Sequence, residues 1–327
     1  MRTFLTFRMN KSRRDNAGTL VRIVGVSLSA LLVVACRPAS QTRQSRPTPV
    51  AIPKTTISVS YKGVSFNFDR SLASEVKSET IPASLEGKPS DIWPEHSGFT
   101  LVGYPKSRTL PETDPQIRVF EVAKFREAIH HAGEEMGKSL VPPTTEDWAP
   151  WVDEEVRVLR ALPVKQPKSD ELKGFLANAR SSEQKLDNFP QMPFLPMWEA
   201  SQAFFTRPQY LDFKSGRGVF FLTQWNVSET SQVTNDGLEY AFQGMTDDGQ
   251  YYVYAEFSVA APFLPNDNDP NVAAWNEKNY VLPQNSKQYQ DYLRPIVAKL
   301  QTLPADQFKP DLRLLEQLIA SLEVHPK

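Results

Sequence analysis

One cysteine, Cys36, among 327 residues excludes an intramolecular disulfide and any zinc site built on several thiolates. Histidine is nearly as scarce, at four: His96, His130, His131 and His325. His130 and His131 precede Glu134 and Glu135 at helical spacing, but no HExxH arrangement or second ligand pair accompanies them. The expectation there is a solvated helix face with i,i+4 pairs. Glycine (14) is outnumbered by proline (27), which favours loops of fixed shape over flexible ones. No G-x-G-x-x-G, Walker or G-x-S-x-G sequence occurs, so the chain carries no signature of a dinucleotide site, a P-loop or a nucleophile elbow. Ser74–Lys77 and Ser182–Lys185 match S-x-x-K without the companion motifs that give this pattern meaning. Asn266 to Asn271 is dense in oxygen donors, yet Val272 and Lys278 stand where an EF-hand needs Gly and Glu, so a polar surface loop is expected. No cofactor and no metal is expected.

Charge is distributed unevenly. Arg2, Arg8, Lys11, Arg13, Arg14 and Arg22 face Asp15 alone in the first 35 residues, whereas residues 36–327 carry 31 basic and 37 acidic side chains, a formal charge of −6. So acidic a remainder excludes general electrostatic affinity for nucleic acid. The basic start precedes an apolar run, Ile23 to Ala35, interrupted by Gly25, Ser27 and Ser29. That run is shorter than the roughly 20 residues a bilayer-spanning helix requires, and fits an export signal over 1–35. Residues 36–55, rich in Pro, Ser, Thr, Gln and Arg, have no apolar periodicity. They read as a disordered tether, whose 19 residues after Cys36 would span about 25 Å.

Beyond the tether, 56–327 reads as a single α+β domain with a mainly antiparallel sheet. Ile57–Tyr61, a Lys62-Gly63 turn and Val64–Phe68 form an alternating hairpin. Phe99–Tyr104 and Ile117–Phe120 follow as strands. A helical insertion on the sheet is expected over 121–188, with a small helical subdomain as the alternative. Its helices carry Val122, Phe125, Ile129 and Met136; then Val152, Val156, Leu159 and Leu162; then Leu172, Phe175, Leu176 and Ala179, the last capped by Ser169 and with Pro163 as a separator. A meander runs from Phe204 to Val259, with strands at Val219–Trp225, Leu238–Phe242 and Tyr251–Val259 and turns at Asn235-Asp236-Gly237 and Thr246–Gly249. A polar loop over 262–283 and two amphipathic helices complete the pattern. The first helix uses Tyr289, Leu293, Ile296, Val297 and Leu300, with a kink at Pro295; the second uses Leu315, Leu318, Ile319 and Leu322, with Pro310 in its first turn.

Leu31-Leu32-Val33-Val34-Ala35-Cys36 resembles the lipobox of bacterial lipoproteins, in which a diacylglyceryl group is attached to the cysteine and the signal is cut before it. Tyr210–Phe213, Gly218–Gln224 and Phe242–Val253 are similar to an uncharacterised family of bacterial surface lipoproteins, for which the resemblance implies no catalytic residues. The order of early hairpin, late meander and terminal helix is similar at fold level to PsbP/Mog1-like domains, which says little about function.

These readings point to a protein lipidated at Cys36, held at the outer face of the cytoplasmic membrane or at the outer membrane. It would act there as a non-catalytic binding module, with a glycan, a peptide or an envelope protein as partner. Trp225, Tyr252 and Tyr254 are candidates for a ligand groove, because Tyr252 and Tyr254 alternate with the apolar side chains of their strand. The competing reading of the tyrosines is core beneath helices with satisfied hydroxyls. A rival function is a hydrolase whose carboxylates, among them Asp212, Asp247, Asp248 and Glu256, meet only in the fold. A solute-binding lipoprotein is a third.

Overall fold

The computed structural model describes residues 55–85, 92–105, 114–139, 149–179, 191–193, 195, 200–226, 230–279, 282–283 and 286–325. Cys36 and the expected tether up to residue 54 lie outside these residues, whereas Thr55, its last residue, is tied to the fold: Thr55 Oγ1 donates to Asp69 Oδ2 at 2.8 Å. The described part contains ten strands and six helices in an α+β fold with two antiparallel sheets.

β1 (Thr56–Tyr61) and β2 (Val64–Asp69) form the expected hairpin. Lys62 and Gly63 both have positive φ, 46° and 81°, as a two-residue turn matched to strand twist requires. A side chain at Gly63 would also meet the His325 carbonyl oxygen at 2.8 Å. β2 pairs on its other side with β10 (Glu323–Val324), so the two termini of the described domain meet in one three-stranded sheet.

The larger sheet has seven strands. β3 (Glu75–Ile81), β4 (His96–Val102) and β5 (Gln116–Glu121) wind inward from one edge. β6 (Ser201–Phe213), β7 (Gly216–Asn226), β8 (Glu239–Thr246) and β9 (Tyr251–Ser258) wind inward from the other, and β5 pairs with β9 in the middle. The chain therefore has to cross from the sheet's interior to its far edge between β5 and β6. α1 (Val122–Ser139), α2 (Ala149–Lys165) and α3 (Ser169–Ala179) lie along that crossing over one face. α1 packs near β5, α2 on β7 and β8, and α3 beside β6.

Opposite faces of the sheet carry separate cores. Phe99, Leu101, Phe220, Tyr240, Val253 and Phe257 pack with the small sheet and with α5 (Lys287–Thr302) and α6 (Leu312–Ala320). On the other face Phe120, Tyr252 and Tyr254 meet Phe125, Ile129, Val152 and Leu159, while Val219 and Phe221 meet Val158, Leu162 and Leu172. Because both faces are covered, β7 reads as a continuous apolar run despite being antiparallel.

Several expectations need correction. β3 was not anticipated: its exposed positions are Glu75, Lys77 and Glu79, and its apolar content is too low to give strand periodicity. The loop expected over 262–283 contains α4 (Pro270–Asn279), where Pro270 occupies the first turn and Asp269 Oδ1 accepts from Asn271 N at 2.9 Å. Pro163 lies inside α2 rather than between helices. Ser169 is the first residue of α3, and the preceding Lys168 carbonyl accepts from Glu171 and Leu172. Asp311, not Pro310, starts α6; its carboxylate accepts from Arg313 N.

Candidate functional site

The sheet ends at β6, and there the two helical layers overhang it. α3 stands beside β6 on one face and α5 on the other, leaving a cleft of about 630 Å³ along the strand. The apolar floor forms because four consecutive β6 residues, Ala203, Phe204, Phe205 and Thr206, contribute side chains to both faces of the sheet. Leu172 from α3 and Leu293 and Val297 from α5 supply the walls. Leu172 and Leu293 are the core-facing positions of helices otherwise stabilised by packing on the sheet, so the same apolar stripes serve both purposes.

β6 is irregular beside this cleft. Its pairing with β7 shifts register between Gln202 and Phe204 and again between Thr206 and Gln209. Arg207, within the second irregularity, adopts φ 54°, a left-handed conformation unusual for a residue with a side chain. Its surroundings hold it there. Arg207 N donates to Gln301 Oε1 at 2.6 Å, Arg207 Nη1 donates to the Leu303 carbonyl at 2.6 Å, and the guanidinium lies 5.7 Å from the Phe308 ring centroid. Thr206 Oγ1 donates to the same Gln301 Oε1 at 2.8 Å. One side chain at the end of α5 thus satisfies two donors of the bulge and closes one end of the cleft.

The rim is charged. Asp170 and Lys173 project from α3 and Arg294 from α5, all exposed. Arg294 Nη2 donates to Asp291 Oδ1 at 2.9 Å, and Lys287 pairs with the same carboxylate. Those two cations, Lys287 foremost, hold the Asp291 carboxyl below its usual range. Chemically the arrangement is an apolar trough with cations on both walls of its mouth, within the size range of ordinary small-molecule sites.

The sequence-derived groove residues lie elsewhere. Tyr252 and Tyr254 are 1% and 3% exposed, beneath α1 and α2. Tyr252 Oη donates to the Leu195 carbonyl at 2.7 Å, and Tyr254 Oη donates to Glu256 Oε2 at 2.5 Å. Burial pushes both phenols well above their ordinary pKa, so they remain neutral donors. Of the two readings of these tyrosines, the structure places them as core. Half-buried Trp225 donates Nε1 to Glu256 Oε1 at 3.0 Å, so Trp225, Tyr254 and Glu256 do meet, as a carboxylate fixed by two donors.

The four candidate carboxylates do not assemble. Asp247 and Asp248 are exposed at the β8–β9 turn and Asp212 is exposed where β6 ends, whereas Glu256 lies toward the other end of β9. Asp247 pairs with Arg217 at 3.3 Å. Asp248 accepts from Thr246 Oγ1 and Gln250 N, which together lower its pKa. His130 Nε2 lies 3.6 Å from Glu134 Oε1 on an exposed face of α1. No group of three or more metal-binding side chains occurs among the described residues. Asn266 Oδ1 accepts from Asn235 Nδ2 at 3.1 Å, tying the donor-rich segment to the 230–238 loop.

The cleft itself escaped the reading of the sequence. Its signal was the adjacent pair Phe204-Phe205 immediately before Arg207-Pro208, a strand whose two faces are both apolar and which then breaks. Comparison of the chain with protein-family models, with curated proteins and with solved structures finds no match.

Proposed function

We propose that this chain is a lipid-anchored binding protein of the bacterial envelope, and that the cleft between α3, β6 and α5 is its ligand site. The observation that carries this reading is a trough of about 630 Å³ whose floor is apolar and whose charged groups stand at the mouth. That is how sites that capture a ligand are commonly built. The anchor rests on the sequence. A basic start, an apolar run too short to span a bilayer, small Ala35 and the unique Cys36 fit lipid attachment. Among the described residues no helix is long and apolar enough to cross a membrane. The resemblance of Tyr210–Phe213, Gly218–Gln224 and Phe242–Val253 to bacterial surface lipoproteins agrees with that placement.

The test is mass spectrometry of the mature protein extracted from membranes of a bacterial host. The expected result is an acylated N-terminal Cys36 and a non-covalent ligand lost from the Ala298→Trp variant, which fills the cleft from an exposed position. A mature protein without acyl chains overturns the anchor. A ligand retained equally by both proteins overturns the site.

A further inference from the structure

Resting on that reading of the cleft, we propose that its ligand is a single-chain acyl amphiphile with an anionic head group, the chain lying on Phe204, Phe205 and Leu293 and the head between Lys173 and Arg294. Three observations select this class. The first is size and polarity. At about 30 Å³ per heavy atom, the share of volume a water takes in the liquid, the cleft holds roughly 20 such atoms. Its buried lining supplies few polar groups, and Thr206 Oγ1 is already committed to Gln301.

The second is charge at the mouth. Lys173 on α3 has no hydrogen bond or ion pair among the described residues, and Arg294 on the facing wall shares Asp291 with Lys287. The two long side chains can lay their methylenes on the apolar wall while their charged ends stay in water, where an anionic head would meet them. Among the described residues, Asp170 is the only acidic one that lines the cleft.

The third is the state of the sheet edge. An extended peptide would bind such a position by adding a strand to β6. That needs a regular row of backbone groups, and β6 is bulged twice within eight residues, with Arg207 N already bonded to Gln301. A chain that needs no hydrogen bonds fits the edge better than one that does.

The test uses a chain beginning at Ala51, the start of the compact unit that contains every described element. Calorimetry would compare palmitate, laurate, dodecyltrimethylammonium and a capped alternating valine–threonine pentapeptide, all below micellar concentration. Affinity should rise about three- to fourfold per added methylene until the cleft is full. Laurate should bind more tightly than the cation of the same chain length, and Lys173→Glu/Arg294→Glu should reverse that order. Ala298→Trp should weaken palmitate more than tenfold at an unchanged melting temperature. The assignment is overturned by no palmitate binding, by binding indifferent to Ala298→Trp, or by no preference for either head-group sign. Pentapeptide binding blocked by Ala298→Trp, without palmitate binding, overturns the ligand class and leaves the cleft as a site. Failure of every probe, with a co-purifying ligand equally indifferent to Ala298→Trp, overturns both readings.

Discussion

The two edges of the seven-stranded sheet solve one physical problem in different ways. A strand edge presents unpaired backbone groups and invites another chain to pair with it. β3 meets this with charge: Glu75, Lys77 and Glu79 stand exposed along it, and the hairpin reaches over to bind it through Tyr61 Oη and Thr80 Oγ1, 3.0 Å apart. β6 carries almost no charge where it is buried, from Gln202 to Thr206, and is instead bulged, capped by Gln301 and flanked by two helices. Charge, with contact from the hairpin, protects the β3 edge without a helix on either side of it among the described residues. Bulges with overhanging helices protect the β6 edge and also enclose apolar space, which is why the cleft lies at β6 and not at β3.

The centre of the sheet sets the scale against which the edges are measured. Tyr254 and Phe257 point to opposite faces of β9 and are both buried. Tyr254→Ala and Phe257→Ala should therefore each lower stability in urea by about 3–5 kcal/mol. A small loss for Tyr254→Ala alone would mean that the helical layer does not hold that face. At the β6 edge, Gln301→Ala leaves Arg207 N and Thr206 Oγ1 without their acceptor and should cost about 1–3 kcal/mol by the same measurement. An unchanged midpoint would show that the bulge keeps its shape without α5.

A pH series sharpens the contrast further. Glu316 on α6 accepts from Tyr240 Oη at 2.8 Å; burial raises its pKa, while Arg207 opposes that shift. Because the folded value is raised, this group's favourable contribution is complete below the unfolded pKa and is lost as pH rises through the folded one. Glu316→Gln should consequently stabilise the protein near neutrality, with the gain fading as pH falls through the carboxylate range. A gain independent of pH would rule out ionisation as its cause. The smallest equilibrium effect belongs to the charged edge: Lys77→Val should alter stability by less than about 0.5 kcal/mol. Light scattering should nevertheless reveal self-association, because one of the edge's charges has been removed. A monomeric variant would assign protection of β3 to the hairpin instead.

Local patterns were legible wherever one residue type repeats at one period or a turn demands particular chemistry. The β1–β2 hairpin, the cores of β5, β7 and β9, and the stripes of α1, α2, α3, α5 and α6 could be read from sequence for that reason. β3 and α4 could not, because a charged edge strand and a helix with one buried apolar residue, Val272, carry too little periodicity. Alternation along β9 correctly separated Tyr252 and Tyr254 from Val253 and Phe257, but alternation is blind to what covers each face. Only the path of the chain from β5 to the far edge placed α1 and α2 over those tyrosines and left α3 and α5 standing beyond β6. The cleft is therefore a tertiary property. Its walls, Leu172 and Leu293, lie 121 positions apart in sequence, and nothing local distinguishes an apolar side chain that ends in core from one that ends at the lip of a trough.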